Sequence, residues 1–185
     1  MKLLGNRQFA LFLTVAIAVF ATLLGLRGSL SRHARDVEAM FYDGVYLKDE
    51  GYTQQSIDSN LAVIAQTALD CATLMGGNPG LKDESTALLL ARNEFLAARS
   101  ITEKHSSYIH MRQAFAQLSE KAGNLSLSDR ESEAMAHYTS RFSGAQTAIG
   151  NSQYNQIAAA FIDDTSFLAR FLRPYLFVAP PQLFL

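Results

Sequence analysis

One cysteine, no tryptophan and only four prolines occur among 185 residues. A lone cysteine, Cys71, cannot form an internal disulfide, so a disulfide-stapled fold is excluded. Three of the prolines are Pro174, Pro180 and Pro181, which leaves Pro79 as the one helix breaker before the final stretch. A surplus of charge is also missing. Lys+Arg 16 against Asp+Glu 17 gives a net charge of −1, and nothing in that balance attracts a nucleic acid.

The residue constellations of common enzymes are missing as well. The four histidines, His33, His105, His110 and His137, never stand one helical turn apart, and there is no His-Glu-x-x-His and no Cys-x-x-Cys. Di-iron helical bundles need Glu-x-x-His twice, but Glu103, Glu131 and Glu133 are followed at that spacing by Ser106, Ala134 and Ala136. No phosphate-cradling glycine pattern and no Gly-x-Ser-x-Gly elbow occurs, and Gly76-Gly77 lacks the preceding strand a phosphate loop requires. Glu133 and His137 sit one turn apart and could share a metal, although a solvated helix face is the commoner use of such a pair. His105 falls on an apolar stripe, as a core histidine does, and Cys71 falls on another, as a small hydrophobe does. The expectation is therefore no catalytic, cofactor-binding or metal-binding residue, no cofactor, and a chain that is not an enzyme.

What is present begins with an uncharged run, Phe9 to Leu26, FALFLTVAIAVFATLLGL. At 1.5 Å per residue it covers roughly 27 Å, close to the hydrocarbon thickness of a bilayer. Its length and the lack of a small-x-small site directly after it favour an uncleaved anchor over a signal peptide. It is apolar on every face, unlike the helix of a soluble core. The expected partner of residues 9–26 is the lipid bilayer, in a single pass through the cell membrane. Lys2 and Arg7 precede the run, and Arg27, Arg32 and Arg35 follow it. That excess of one basic residue leans toward a cytoplasmic C-terminal domain and leaves the side nearly undetermined.

Beyond the anchor the pattern is helical, with no strand signal that combines alternation with turn chemistry. Gly28 and Ser29 suggest a break, a first helix covers about 29–47, and Asp49-Glu50-Gly51 ends it. Thr53 is placed to cap a second helix in which Ile57, Leu61, Ile64, Ala68, Cys71 and Met75 alternate steps of four and three. Gly76-Gly77-Asn78-Pro79-Gly80 stops it, with Asn78 and Pro79 as cap and first-turn residue of the next helix. That third helix is expected over about 81–122, with Leu88, Ala91, Phe95, Ala98, Ile101, Tyr108, Met111, Phe115, Leu118 and Ala122 on its stripe. Gly123-Asn124 can stop it in a left-handed conformation. Ser128-Asp129-Arg130-Glu131 is a capping box opening a fourth helix over about 129–164, with Met135, Tyr138, Phe142, Ala145, Ile149, Tyr154, Ile157 and Phe161. The fold class predicted is all-α: an N-terminal transmembrane helix followed by an antiparallel four-helix bundle with long helices. The domain division is 1–28 anchor, 29–165 bundle and 166–185 tail. That tail, SFLARFLRPYLFVAPPQLFL, either folds back on the bundle or docks on a membrane or partner through its apolar residues, Arg170 and Arg173. Its density of exposed apolar groups favours folding back, and Pro174 makes it unfit for a second span.

Several short elements resemble the LemA family. Val37-Glu38-Ala39 looks like the start of that family's domain, and Ile57-Asp58-Ser59-Asn60-Leu61 is similar to its Ile-Pro-Asn-Leu element. Ala91-Arg92-Asn93, Lys104, Tyr154-Asn155 and the apolar stretch Leu168–Phe184 fit in the same order. Departures are Leu47-Lys48-Asp49-Glu50 in place of a basic run, the missing proline of the first element, and Phe161-Ile162 where a second Tyr-Asn stands. The resemblance implies a bacterial membrane protein with an antiparallel four-helix domain and no established enzymatic activity. The function expected is an interaction or scaffold protein at the membrane; the alternative is a ligand-sensing or transport-accessory bundle, and no protein partner is named by the sequence. Replacing Leu61 or Ile64 by Asp should abolish the cooperative thermal transition followed by circular dichroism, because an unpaired charge would enter the core. An unchanged transition would remove these residues from it.

Overall fold

The computed structural model describes residues 7–163 and 178–185, with side chains at the N-terminal end from Phe9 onward. Lys2 and residues 164–177, with Arg170, Arg173 and Pro174, lie outside the described residues. The chain is mostly helical, and one apolar helix stands at its N-terminal end.

That helix, α1, runs unbroken from Arg7 to Asp43, about 55 Å at the α-helical rise. The expected break at Gly28-Ser29 is absent. A Cβ at Gly28 would meet nothing, so the glycine answers no crowding, and a single glycine costs a helix only about 1 kcal/mol. The two ends of α1 differ in surroundings. Leu11, Phe12, Val15, Ile17, Val19 and Phe20 are exposed, whereas Ala34, Val37 and Phe41 are buried against the rest of the chain. Phe9–Asp43 is long and apolar enough to cross a membrane, and its most apolar window has no buried residue.

Gly44 stops α1 with a φ of 92°, and the chain turns into an antiparallel hairpin of β1 (Val45–Leu47) and β2 (Tyr52–Gln54). Its register pairs Val45 with Gln54, Tyr46 with Thr53 and Leu47 with Tyr52. This corrects the helix expected to 47 and the expected absence of strands. The turn chemistry at Asp49-Glu50-Gly51 was visible, but strands of three residues are too short to show alternation. Gly51, at φ 72°, closes the turn with its N–H on the Leu47 carbonyl at 2.8 Å. Thr53 lies in β2 and does not cap the next helix; Ser56 does, accepting from the Ser59 amide.

Helix α2 (Ile57–Met75) is the central element, and its whole stripe from Ile57 to Met75 is buried. Asn78 and Pro79 open a single 3-10 turn, Pro79–Leu81, which leads into α3 (Lys82–Ala97). The long third helix expected is in fact two, α3 and α4 (Ile101–Gly123), folded back on each other. Phe95, Ala98 and Ile101 keep helical phase across the break, so periodicity hides it. The decisive signal is Ser100-Ile101-Thr102-Glu103, a complete capping box in the structure. Asn124 caps α4 at φ −94°, without the left-handed residue expected there. The capping box at Ser128 and Glu131 opens α5 (Asp129–Gly150). A second unforeseen break at 151–153 separates α5 from α6 (Tyr154–Asp163). The hairpin fixes that turn: the Gln54 side chain donates to the Asn151 carbonyl at 2.9 Å and accepts from the Gln153 amide at 3.0 Å.

Helix α2 packs between α5 and α3, and α3 packs on α4. Helix α6 lies along the C-terminal part of α1, with the Phe161 ring 5.2 Å from that of His33. Gly44 is the joint that lets α1 turn into the hairpin, and a Cβ there would meet the Gln54 carbonyl oxygen at 2.2 Å. Gly44→Ala should therefore destabilise the domain by about 1–3 kcal/mol in urea unfolding, whereas Gly28→Ala should leave the domain's unfolding midpoint unchanged or slightly raised.

Candidate functional site: a cleft that holds an extended segment

Residues 178–185 return to the domain as an extended strap. Val178, Pro181 and Phe184 are buried, while Gln182 and Leu185 are exposed. The strap crosses the end of the helical core where α1, α4 and α6 converge, and each of these helices contributes a polar hold on it.

Helix α6 contributes most. It begins at Tyr154-Asn155, where the Tyr154 amide donates to the Ser152 hydroxyl at 3.3 Å. This start aims Tyr154 inward, fully buried, and its hydroxyl donates to the Gln182 carbonyl. Burial, with Glu38 and Tyr42 nearby, pushes the Tyr154 phenol well above its ordinary value, so it remains a donor at every physiological pH. Asn155 pairs with the strap backbone as a neighbouring β-strand would. Its amide donates to the Phe184 carbonyl at 2.7 Å, and its side-chain oxygen accepts from the Phe184 N–H at 2.9 Å. From α1, Glu38 accepts the Gln182 N–H at 3.0 Å. At the start of α4, the Thr102 amide donates to the Gln182 side-chain oxygen at 3.3 Å.

Between these holds the Phe184 ring sits in an aromatic socket. Its centroid lies 5.6 Å from Phe41, 4.8 Å from His105 and 5.8 Å from Tyr108. Phe184 is 5% exposed. Four of the strap's polar contacts are to its backbone atoms, and the Phe184 ring is its aromatic anchor beside the buried Val178 and Pro181, so the cleft holds an extended chain and one aromatic side chain.

The back of the cleft is braced by an ion pair. Lys104 of α4 bonds Asp58 in the first turn of α2, while its ammonium lies 5.8 Å from the Phe41 ring and 5.2 Å from that of Tyr42. Nearby, Asn60 donates to the Ser56 carbonyl at 2.9 Å, and on α3 the Arg92 guanidinium reaches across to the Ala65 carbonyl of α2 at 3.0 Å. In the sequence Glu38, Asp58, Lys104 and the pair Tyr154-Asn155 stand in four separate short elements. The fold brings all five to one end of the molecule.

The other sequence candidates lie elsewhere. Glu133 and His137 are both exposed on α5, and among the described residues no group of three or more His, Cys, Asp or Glu side chains gathers as metal ligands would. Cys71 is buried, burial pushes its thiol up to about 12, and its Sγ lies 3.8 Å from the Met135 Sδ. His110 pairs with Glu94 on the exposed face of α3 and α4 at 3.1 Å. Helices α4 and α5 touch through the stacked Phe115 and Phe142 rings, 4.1 Å apart, and through a Gln146–Tyr108 hydrogen bond of 3.3 Å. Toward the α4–α5 turn they part around an open groove of about 770 Å³, edged by Ser119, Ser132, Thr139 and Ser143. No protein-family model, curated protein or solved structure matches this chain.

His105 gives the cleft a pH dependence. Burial against the strap, with Arg112 adding like charge, lowers its pKa from the ordinary 6.5. The folded state therefore favours the neutral ring, and the unfolded chain takes the proton first as pH falls. The strap's attachment should be complete above 6.5 and weaken below it. Glu103 and Glu131, whose carboxyls are lowered by their capping bonds, act only below their ordinary 4.5, so the two windows separate. The thermal midpoint should fall between pH 7.5 and pH 5, and His105→Gln should flatten that slope; an unaltered slope would exclude the histidine as its source.

Proposed function

We propose that this chain is a single-pass membrane-anchored interaction protein of the LemA type, whose cleft captures an extended polypeptide segment. Residues 9–26 form the span on this reading, and the chain carries no catalytic centre. Helices α2–α5 are read as an antiparallel four-helix bundle, closed at one end by α1, α6 and the strap. Short connections between long helices, at 76–81, 98–100 and 124–128, support that arrangement.

The observation that carries the functional reading is the pairing of Asn155 and Tyr154 with strap backbone. A cleft that binds main-chain atoms and one ring offers a peptide supplied in trans the same contacts as one supplied in cis, once the tethered strap is displaced. The elements that resemble the LemA family support the same reading, since Glu38, Asp58, Lys104, Tyr154 and Asn155 all build or brace this cleft.

The test uses the full chain in detergent, carrying Phe184→Ala so that its own strap competes weakly. A labelled peptide of residues 178–185, VAPPQLFL, should bind saturably, and adding Asn155→Ala should weaken it at least tenfold, which is about 1.4 kcal/mol for the lost backbone pairing. Helical content by circular dichroism guards against misfolding. A well-folded Phe184→Ala chain that ignores the peptide would remove the capture reading. The same preparations test the anchor: the full chain should stay with membranes at alkaline pH, and a chain lacking 9–26 should not.

A further inference from the structure

We infer that the cleft recognises a left-handed polyproline II helix and reads one side chain in three, so that the peptides it takes carry an aliphatic residue, a proline and an aromatic residue at three-residue spacing. This rests on the capture reading above and names its ligand class.

Burial along the strap sets the period. Val178, Pro181 and Phe184 are buried, Leu183 is half-buried, and Ala179, Pro180, Gln182 and Leu185 are exposed. Alternation, as in a strand, would bury Pro180 and Gln182 along with Phe184, and neither is buried. A step of three is one turn of a polyproline II helix, which rises about 3.1 Å per residue. The three buried side chains then form one line of about 19 Å over two turns. That line follows α1. Val178 lies beside Ser31, Ala34 and Arg35, the Gln182 N–H meets Glu38, and the Phe184 ring meets that of Phe41. The hold is strand-like only at its end, where Asn155 pairs with both backbone groups of Phe184.

The strap's sequence and the cleft's chemistry agree with that form. Proline fixes φ at about −65°, inside the polyproline II region, and each proline biases the residue before it the same way. Pro180-Pro181 therefore holds residues 179–181 close to their bound shape before docking, which lowers the ordering cost. Neither proline brings an N–H into the cleft, and the first donor after them, the Gln182 N–H, is accepted by Glu38. A polyproline II helix makes no hydrogen bonds within itself, so its backbone groups are free for partners. Tyr154 and Asn155 supply them. Aromatic rings line grooves of this kind, and Phe41, His105, Tyr108 and Tyr154 gather here where the line ends. The strap is the first ligand this rule describes. A peptide supplied in trans must match its three buried side chains to displace it.

Three altered forms of the peptide VAPPQLFL test the period, each competing with the labelled parent for the full chain carrying Phe184→Ala in detergent. Pro180→Ala removes an exposed ring and Pro181→Ala a buried one. The third form inserts one alanine between Pro181 and Gln182. It keeps both prolines and the hold on residues 182–185 but carries Val178 and Pro181 out of line. Pro180→Ala should bind within about threefold of the parent, since it loses only stiffness. Pro181→Ala and the insertion should each bind about tenfold more weakly. Equal affinities for the two proline forms, or an insertion that binds like the parent, would overturn the period of three while leaving capture in place. A parent peptide that fails to bind a chain of normal helical content would overturn both.

Discussion

A carboxamide that pairs with a peptide group in both directions is the constraint on which this end of the molecule depends. Asn155 donates to the Phe184 carbonyl and accepts from its N–H, so the strap has one register. A shift by one residue would turn the ring out of its socket, because side chains of an extended segment alternate in direction. It would also leave polar backbone groups unpaired in a half-buried place, at a cost of about 1–3 kcal/mol each. With the register set, the Phe184 ring joins Phe41 of α1 to His105 and Tyr108 of α4, and the hydroxyl of Tyr154 closes α6 over them. Three helices far apart in sequence meet at one aromatic side chain.

Sequence reading was strongest where burial alone decides. The stripe from Ile57 to Met75 is buried throughout, as steps of three and four require, and the capping box at Ser128 stands where its four residues place it. It was weakest where two helices share a phase. Phe95, Ala98 and Ile101 conceal the α3–α4 break, while at the α5–α6 break the apolar stripe steps by five from Ile149 to Tyr154. At the first break the Ser100–Glu103 capping box was a readable signal that the periodicity outweighed. The second depends on Gln54 reaching from β2 to the Asn151 carbonyl, a contact between residues far apart in sequence that no local pattern announces. The cleft is a further case. Glu38, Lys104, Tyr154 and Asn155 stand in short motifs far apart in sequence, and nothing in their spacing shows that they share one end of the fold.

The helical core is closed on one flank and open on another. Helix α2 packs against α1, α3 and α5, whereas α4 and α5 touch at the Phe115–Phe142 stack and part toward the turn between them. The groove left there is edged by small hydroxyl side chains, with no charged residue in its lining. The strap cleft is different in kind, since it combines an aromatic socket with directed hydrogen bonds. Such a pairing of one apolar anchor with backbone contacts gives both affinity and register, which an open groove of serines does not.

The unbroken course of α1 has a mechanical consequence. The helix that exposes Phe12 and Phe20 also supplies Glu38 and Phe41 to the cleft wall, with no joint between them. An α-helix turns about 100° for each residue added. One extra residue between Arg27 and Ala34 would swing the whole domain around the axis of its own lower half, while two extra turns would lift it and leave its heading nearly unchanged. On the membrane reading, the azimuth at which the domain stands on its anchor is thus set by the residue count of a single continuous helix.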